Sequence, residues 1–320
     1  MILRYRTYLK ILFIAIGVVG VMAIAYSYYF IRHYPIPITN RISFDAKITF
    51  IKEHIDISKV DTIIVGSSIG LNNVNGEVLE ESSKKIKEAL NLSVYESTPP
   101  QIEQVLELTP TFTNLKRVIY SAQYSDFAYA GRFKDYNSTF INSYLTDSLS
   151  TKERAIFYFK SCQNLFFCIS RAWNWRDKYQ QNNRFTYLGF DSSGSVPLHI
   201  YGDDIIPKRW SSPHSTRQND HAFKALERIA KRLKKQNIEF IFVMQPYREP
   251  LVEKFPHVAP TMQKFAKRVE GIVSKYGGRF LNLHDRLHLK DKYFADRSHL
   301  NDKGSIVSSR AVGEFVDIKN

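Results

Sequence analysis

From about residue 60 onward the chain alternates short apolar runs with amphipathic stretches. Asp61 to Val65 is a β-branched run stopped by Gly66 and predicts a strand. Val74 to Leu90 carries apolar residues at helical spacing. Leu92 to Tyr95 predicts a second strand, Gln101 to Leu108 a short helix, and Arg117 to Ala122 (RVIYSA) a third strand. The pattern resumes late in the chain. Asp220 can cap a helix with Phe223, Leu226, Ile229, Ala230 and Leu233 on one face, and Asn237 is a suitable stop. Glu239 to Met244 (EFIFVM) is the plainest strand. Pro260 to Lys275 predicts an amphipathic helix ended by Gly277 and Gly278, Arg279 to Leu283 a last strand, and Asn301 to Val316 a final helix. Strands alternating with helices predict an α/β fold of three layers around a mostly parallel sheet, occupying residues 60–320.

Between Tyr124 and Asp220 the alternation fails. This stretch, about 124–219, holds Trp173, Trp175 and Trp210, Cys162 and Cys168, and the loop-like Asp191-Ser192-Ser193-Gly194. It is too long for an ordinary connection. It reads as a partly helical insertion at the carboxyl edge of the sheet, where open α/β proteins bind ligands.

The N-terminus is a different kind of segment. Residues 11–31 form an apolar run long enough to cross a bilayer as a helix. Arg4, Arg6 and Lys10 precede it, which predicts a cytoplasmic tail at 1–10 and an exported domain. Ala23-Ile24-Ala25 also fits a signal-peptide cleavage site, but the apolar run continues past it to Ile31, which favours an uncleaved anchor. Pro35 and Pro37 mark 32–59 as a stiff membrane-proximal spacer.

Charge and cysteines sharpen this picture. The 320 residues carry a formal net charge of +14. Outside the cytoplasm that favours anionic lipid headgroups or an anionic glycan over nucleic acid as partner. The run Lys231-Arg232-Leu233-Lys234-Lys235 reads first as a solvated helix face. Two cysteines in an exported chain fit either one disulfide, which would need a loop between them, or two buried thiols.

The candidate chemistry begins with Gly66-Ser67-Ser68-Ile69-Gly70, a G-x-S-x-G at the end of the first strand. A serine at a strand-to-helix turn projects its hydroxyl above the sheet edge, and the helix N-terminus offers peptide N–H groups to a developing oxyanion. Alone, such a turn is more often plain loop or a phosphate-binding turn, although the Gly-Lys-Ser/Thr of a P-loop is missing. The second element is DRSHLNDKG, Asp296 to Gly304. Asp296 and His299 are three residues apart before a predicted helix, a spacing that can set a carboxylate beside an imidazole and leave the other ring nitrogen free to take a serine proton. Taken in isolation, Asp296 reads as a helix cap and His299 as a surface histidine.

Together the two elements resemble the SGNH/GDSL hydrolase superfamily, in which the serine follows the first strand and D-x-x-H-L-N-x-x-G precedes the last helix. Ser68 matches the family serine and Gly66 the glycine two before it; Asp296, His299, Leu300, Asn301 and Gly304 match the second block. The resemblance implies a flavodoxin-like three-layer sheet and a catalytic set of Ser68, His299 and Asp296, with no cofactor and no metal. The chain departs from the family at three places. Ser67 replaces the usual aspartate. The oxyanion glycine of the second block corresponds to Glu96 or Ser97. The asparagine donor of the third block corresponds to Gln123, so Ser68 and Gln123 are the expected oxyanion groups.

The Gly-Ser-Ser form, the single anchor and the exported domain are similar to a membrane-anchored subgroup that includes alginate O-acetylation and teichoic-acid D-alanine transfer proteins. That resemblance implies a single-pass protein of the bacterial cytoplasmic membrane, N-terminus inside and domain facing the periplasm or cell exterior. Its partners would be an acylated glycan or acyl donor, membrane lipid and a membrane-bound O-acyltransferase. The implied activity is acyl transfer or hydrolysis on an envelope or exported glycan through an acyl-Ser68 intermediate. A catalytically silent module that binds glycan or assembles a transferase complex is the alternative, and an anchored structural protein with a chance pair of motifs is the third reading.

Other polar positions read more plainly. Asp285, beside His284, follows the last strand as a polar loop residue. Asp126, after the third strand, could line the site but reads first as a turn former. His214 and His221 lack cysteine or carboxylate neighbours at ligand spacing and read as structural or exposed residues, not metal ligands. The tryptophans suit sugar stacking or internal packing equally.

Overall fold

A computed structural model describes residues 2–33, 35–161, 170–171, 173–175 and 179–318. Cys162 and Cys168 lie outside the described residues. The chain divides into two compact units, Met1–Ile36 and Pro37–Asn320.

The first unit is a helix, α1 (Ile2–His33). Its segment Tyr5–Tyr26 is long and apolar enough to cross a membrane.

The second unit is built on five parallel strands: β1 (Thr62–Gly66), β2 (Ala89–Asn91), β3 (Arg117–Ala122), β4 (Glu239–Met244) and β5 (Arg279–Asn282). Their order is β2-β1-β3-β4-β5. Gly66 is level with Ser121, and Ala122 with Met244. Alternation along the strands sorts side chains to two faces. Ile64, Ile119, Ile241, Val243 and Leu281 pack with Leu79, Val312 and Val316. The neighbouring positions Tyr120 and Phe242 face the other way. Their rings, 5.0 Å apart, join Phe127, Phe223 and Phe265. Phe223 belongs to the helix Asp220–Lys235 and Phe265 to the helix Val258–Lys275. Helices therefore cover both faces of the sheet, the three-layer α/β architecture read from the sequence.

In a 2-1-3-4-5 order the connections leave β1 and β3 toward opposite faces, so a crevice opens beyond their carboxyl ends. Ser67 and Ser68 follow β1, and Tyr124–Phe127 follows β3. The topology thus places the candidate serine at the switch point.

Several boundaries differ from the sequence reading. The expected spacer 32–59 contains a packed helix, α2 (Ile42–His54), with Phe44, Ile48 and Ile51 fully buried. Two polar residues masked it. Asp45 is buried because the peptide N–H groups of Ile38 and Thr39 donate to its carboxylate at 3.0 and 2.8 Å. Lys47 is buried because its ammonium reaches the Gly194 carbonyl, close to Asp191. The helix expected over Val74–Leu90 is only a short one, Gly76–Ser82, and the second strand begins earlier than expected. Beyond β2, Leu92 and Val94 still donate to Ile64 and Gly66, which is the pairing their apolar pattern predicted. Asn219 rather than Asp220 caps its helix, accepting from the His221 N–H.

The long segment after β3 closes the edge of the sheet beside β2. Asp191 accepts the N–H groups of Ser193 and Ser195, a tight turn that presents the Ser193 carbonyl to the Asn91 N–H at 2.8 Å. The same segment supplies Phe185, before this turn, and Arg209 and His214, after it, to the crevice.

Candidate active site

Ser68 is the first residue of a short helix, α3 (Ser68–Asn73). Gly66 allows that turn: a Cβ there would lie 2.3 Å from the Ser121 carbonyl oxygen and 3.0 Å from Gly70 Cα. Ser67 caps the helix, its Oγ accepting the Ile69 N–H at 3.1 Å.

The histidine arrives from the other end of the chain. Ser68 Oγ lies 2.8 Å from His299 Nε2, and His299 Nδ1 lies 2.9 and 3.0 Å from the two oxygens of Asp296. An ionised carboxylate only accepts, so Nδ1 carries the ring proton and Nε2 is left as acceptor for the serine hydroxyl. The Asp296 side chain is almost wholly buried. Burial works to raise its pKa. The His299 imidazole and its ring N–H, with the backbone N–H groups of His299 and Ser298, outweigh burial and hold the carboxyl well below the usual range.

The rest of the second block is scaffolding with identifiable tasks. Ala295 donates to the His299 carbonyl at 2.8 Å, and Phe294 bridges Leu300, closing the loop. Asn301 Oδ1 caps the last helix, Asp302–Asp317, through the Gly304 N–H. Gly304 has no room for a side chain, since a Cβ would stand 2.2 Å from the Tyr293 carbonyl oxygen.

Two residues that the sequence left aside hold the set together. Asn73, at the end of α3, is fully buried. Its Nδ2 donates to the Ser298 carbonyl and its Oδ1 accepts the Leu300 N–H, both at 2.9 Å. The serine helix therefore clamps the histidine loop directly. Asp126, read as a turn former, accepts the Ser67 hydroxyl at 2.6 Å and the Gln123 N–H at 2.7 Å. Burial pushes its carboxyl up to about 6, against the lowering effect of Ser67, the Gln123 N–H and His299.

The expected oxyanion groups divide. Ser68 opens α3, where peptide N–H groups lack intrahelical partners. Gln123 does not reach the site: its side-chain amide donates to the carbonyls of Gln245 and Pro246, and the residue is 1% exposed. Its identity at a strand end suggested a donor, but the neighbouring loop after β4 consumes it. Glu96 is one of the two residues, with Ser97, compared with the family glycine. Its backbone is in the left-handed region (φ 58°) that favours glycine, and it lines the same cavity as Ser68. Its carboxylate pairs with Arg41 at 2.5 Å.

That cavity, about 530 Å³, is bordered by Ser68, His299, Tyr95, Phe185, Arg209 and Arg297, among others. Phe185 sets its ring edge-on to the His299 imidazole at 5.5 Å. His214, judged structural or exposed from the sequence, is a wall of this cavity. Asp285, read as a loop residue, instead lies in a short exposed helix, Leu283–Leu287, because Asn282 caps that segment as soon as the last strand ends; Asp285 accepts from the Asn282 amide at 2.8 Å, and His221 is exposed. Trp210 is covered by the Arg248 guanidinium, 3.5 Å from its ring centre.

No protein-family model matches the sequence, and no curated protein matches it. Solved structures do. A catalytic histidine-to-alanine mutant of an acetylxylan esterase from Geobacillus stearothermophilus is 12% identical with a TM-score of 0.41, the alignment covering 82% of this chain and 96% of that one. A catalytic serine-to-alanine mutant of the same esterase is 11% identical with a TM-score of 0.39, covering 80% of this chain and 94% of that one.

Proposed function

We propose that this protein is an SGNH-type serine acyl esterase or O-acyltransferase, anchored by α1 in the bacterial cytoplasmic membrane. Its domain faces the periplasm or cell exterior and acts on an acylated envelope or exported glycan beside a membrane-bound O-acyltransferase. One observation carries the chemical part: Ser68, His299 and Asp296 form an unbroken hydrogen-bonded chain that ends on a cavity. The charge of +14 and the apolar helix Tyr5–Tyr26 support the placement.

In this reading Ser68 Oγ attacks the ester carbonyl carbon while its proton passes to His299 Nε2. Asp296 stabilises the imidazolium that forms. The carbonyl electron pair moves to oxygen, beside the opening turn of α3. Collapse breaks the ester C–O bond, and His299 returns the proton to the leaving alcohol. Water or a sugar hydroxyl, deprotonated in turn by His299, then releases the acyl group from Ser68.

The engaged Gln123 favours a second reading, in which the module binds glycan or organises a transferase without turnover. A fluorophosphonate probe separates the two. Full-length protein in detergent is expected to label, and to hydrolyse p-nitrophenyl acetate. Ser68→Ala is expected to abolish labelling, and His299→Ala to slow it by about a thousandfold or more. Absence of labelling in a folded protein would favour the silent module.

A further inference from the structure

The cavity beside Ser68 carries more positive charge than its own carboxylates neutralise. Four arginines border it: Arg41, Arg171, Arg209 and Arg297. Arg41 is paired with Glu96, and Arg171 with the buried Asp45. Asp296 is committed to His299. Arg209 and Arg297 have no carboxylate partner among the described residues.

Both are held in place by groups that leave their charge unspent. The Arg209 guanidinium lies 4.4 Å from the centre of the Phe185 ring, the ring that packs against His299. Arg297 donates through Nη1 to the carbonyls of Ser212 and Pro213 at 2.7 and 3.3 Å, while its buried Nε has no acceptor. The Arg297 N–H donates to the Arg209 carbonyl, which keeps the two residues adjacent. His214, on the same wall, has a buried Nδ1 without a partner. Burial, with Arg297 next in weight, lowers its pKa to about 3, so it adds hydrogen-bonding capacity without charge. Two adjacent guanidiniums without a counter-charge repel one another, and planar N–H forks match carboxylate and phosphate oxygens.

We infer that Arg209 and Arg297 form an oxyanion-binding subsite, so that the ester taken by Ser68 belongs to a molecule bearing a carboxylate or phosphate group close to the acylated oxygen. This rests on the acyl-transfer reading of Ser68, His299 and Asp296 and narrows its substrate class to anionic esters.

The test compares esters that share an acetyl group and differ in charge: methyl 4-acetoxybenzoate (neutral), 4-acetoxybenzoate (carboxylate) and 4-acetoxyphenyl phosphate, with full-length protein in detergent. The expected result is a higher kcat/KM for at least one anionic ester than for the neutral one, and the pair of anionic arms tells carboxylate from phosphate. In Arg209→Gln and in Arg297→Gln the anionic-to-neutral ratio is expected to fall about tenfold, as for loss of a charged hydrogen-bonded partner. A ratio at or below one in the unmodified protein, or one untouched by both substitutions, would overturn the subsite while leaving the esterase standing. If no ester is turned over and no fluorophosphonate label appears, the acyl-transfer reading fails instead. The subsite is then judged by binding alone. Inorganic sulfate or phosphate is expected to raise Tm, equally in Ser68→Ala and less in Arg209→Gln, and no shift with either anion would reject it.

Discussion

Asp126→Asn tests whether the carboxylate beneath the serine turn is desolvated as the structure implies. Asp126 has an ordinary value of 3.8, and burial pushes it up to about 6 in the folded chain. Between those values the folded protein keeps a proton that the unfolded chain has lost. The contribution to stability is therefore full below the unfolded value and is lost as pH rises through about 6. A shift of about two units corresponds to about 3 kcal/mol over the whole window, and about 2 kcal/mol between about pH 4.5 and pH 7.5. This is an upper bound, because an edge of the residue still meets solvent. Asparagine is neutral at every pH and nearly isosteric, so the variant lacks this term. Asparagine also loses one of two acceptors, for Ser67 Oγ and the Gln123 N–H, at a cost of about 1–3 kcal/mol. That cost is independent of pH and cancels when slopes are compared.

The assay is urea unfolding at the two pH values, followed by tryptophan fluorescence, which reports the folded domain because all three tryptophans lie there. The unmodified protein is expected to lose about 2 kcal/mol more than Asp126→Asn on going from the acidic to the neutral condition. Equal slopes in the two proteins, to within about 0.5 kcal/mol, would refute the reasoning. Asp126 would then titrate as it does in water, and its link to Ser67 would be a surface contact.

Three other substitutions probe the same site and its support, and a fourth serves as a remote control. Asp296→Asn keeps the shape but removes the charge that stabilises the imidazolium; fluorophosphonate labelling is expected to slow by about 10²–10⁴ without loss of fold. Asn73→Ala frees the Ser298 carbonyl and the Leu300 N–H in the interior; a loss of about 1–3 kcal/mol in urea and a labelling rate at least about tenfold lower are expected, because the histidine loop loses its clamp on α3. Gly66→Ala forces a Cβ onto the Ser121 carbonyl and is expected to cost about 3 kcal/mol or more. Gly271→Ala, on an exposed helix face with nothing within 4 Å, is expected to gain about 0.5–1 kcal/mol.

What could be read from the sequence follows from where the information lies. β3 and β4 are covered on both faces, so their runs RVIYSA and EFIFVM were unbroken and their limits were read correctly. The helices at 220–235 and 258–275 each bury one face, and their periods were visible for that reason. Helix α2 escaped because its buried positions include Asp45 and Lys47. A polar residue made tolerable by a distant partner looks like a surface residue in the chain. The pairing of Asp296 with His299 was legible because it is local, and the approach of Ser68 could be inferred from its place after the first strand. Asn73 and Asp126 were not legible: their partners lie 225 and 59 residues away in the chain.

The substitution at position 67 ties these threads together. Where the compared family carries aspartate before the nucleophile, this chain has Ser67, which read alone is a lost carboxylate. In the fold the carboxylate is present but comes from the turn Tyr124–Phe127 that follows β3. Ser67 performs the cap, accepting the Ile69 N–H, and passes its own hydroxyl proton toward Asp126, 2.6 Å away. A cap needs only an oxygen acceptor, which serine supplies as well as aspartate. Restoring aspartate at 67 would set two partly buried carboxylates against each other and force one to hold a proton. Ser67 and Asp126 are thus one device distributed over two segments, and the Gly-Ser-Ser form of the turn is the half of it that a linear motif can display.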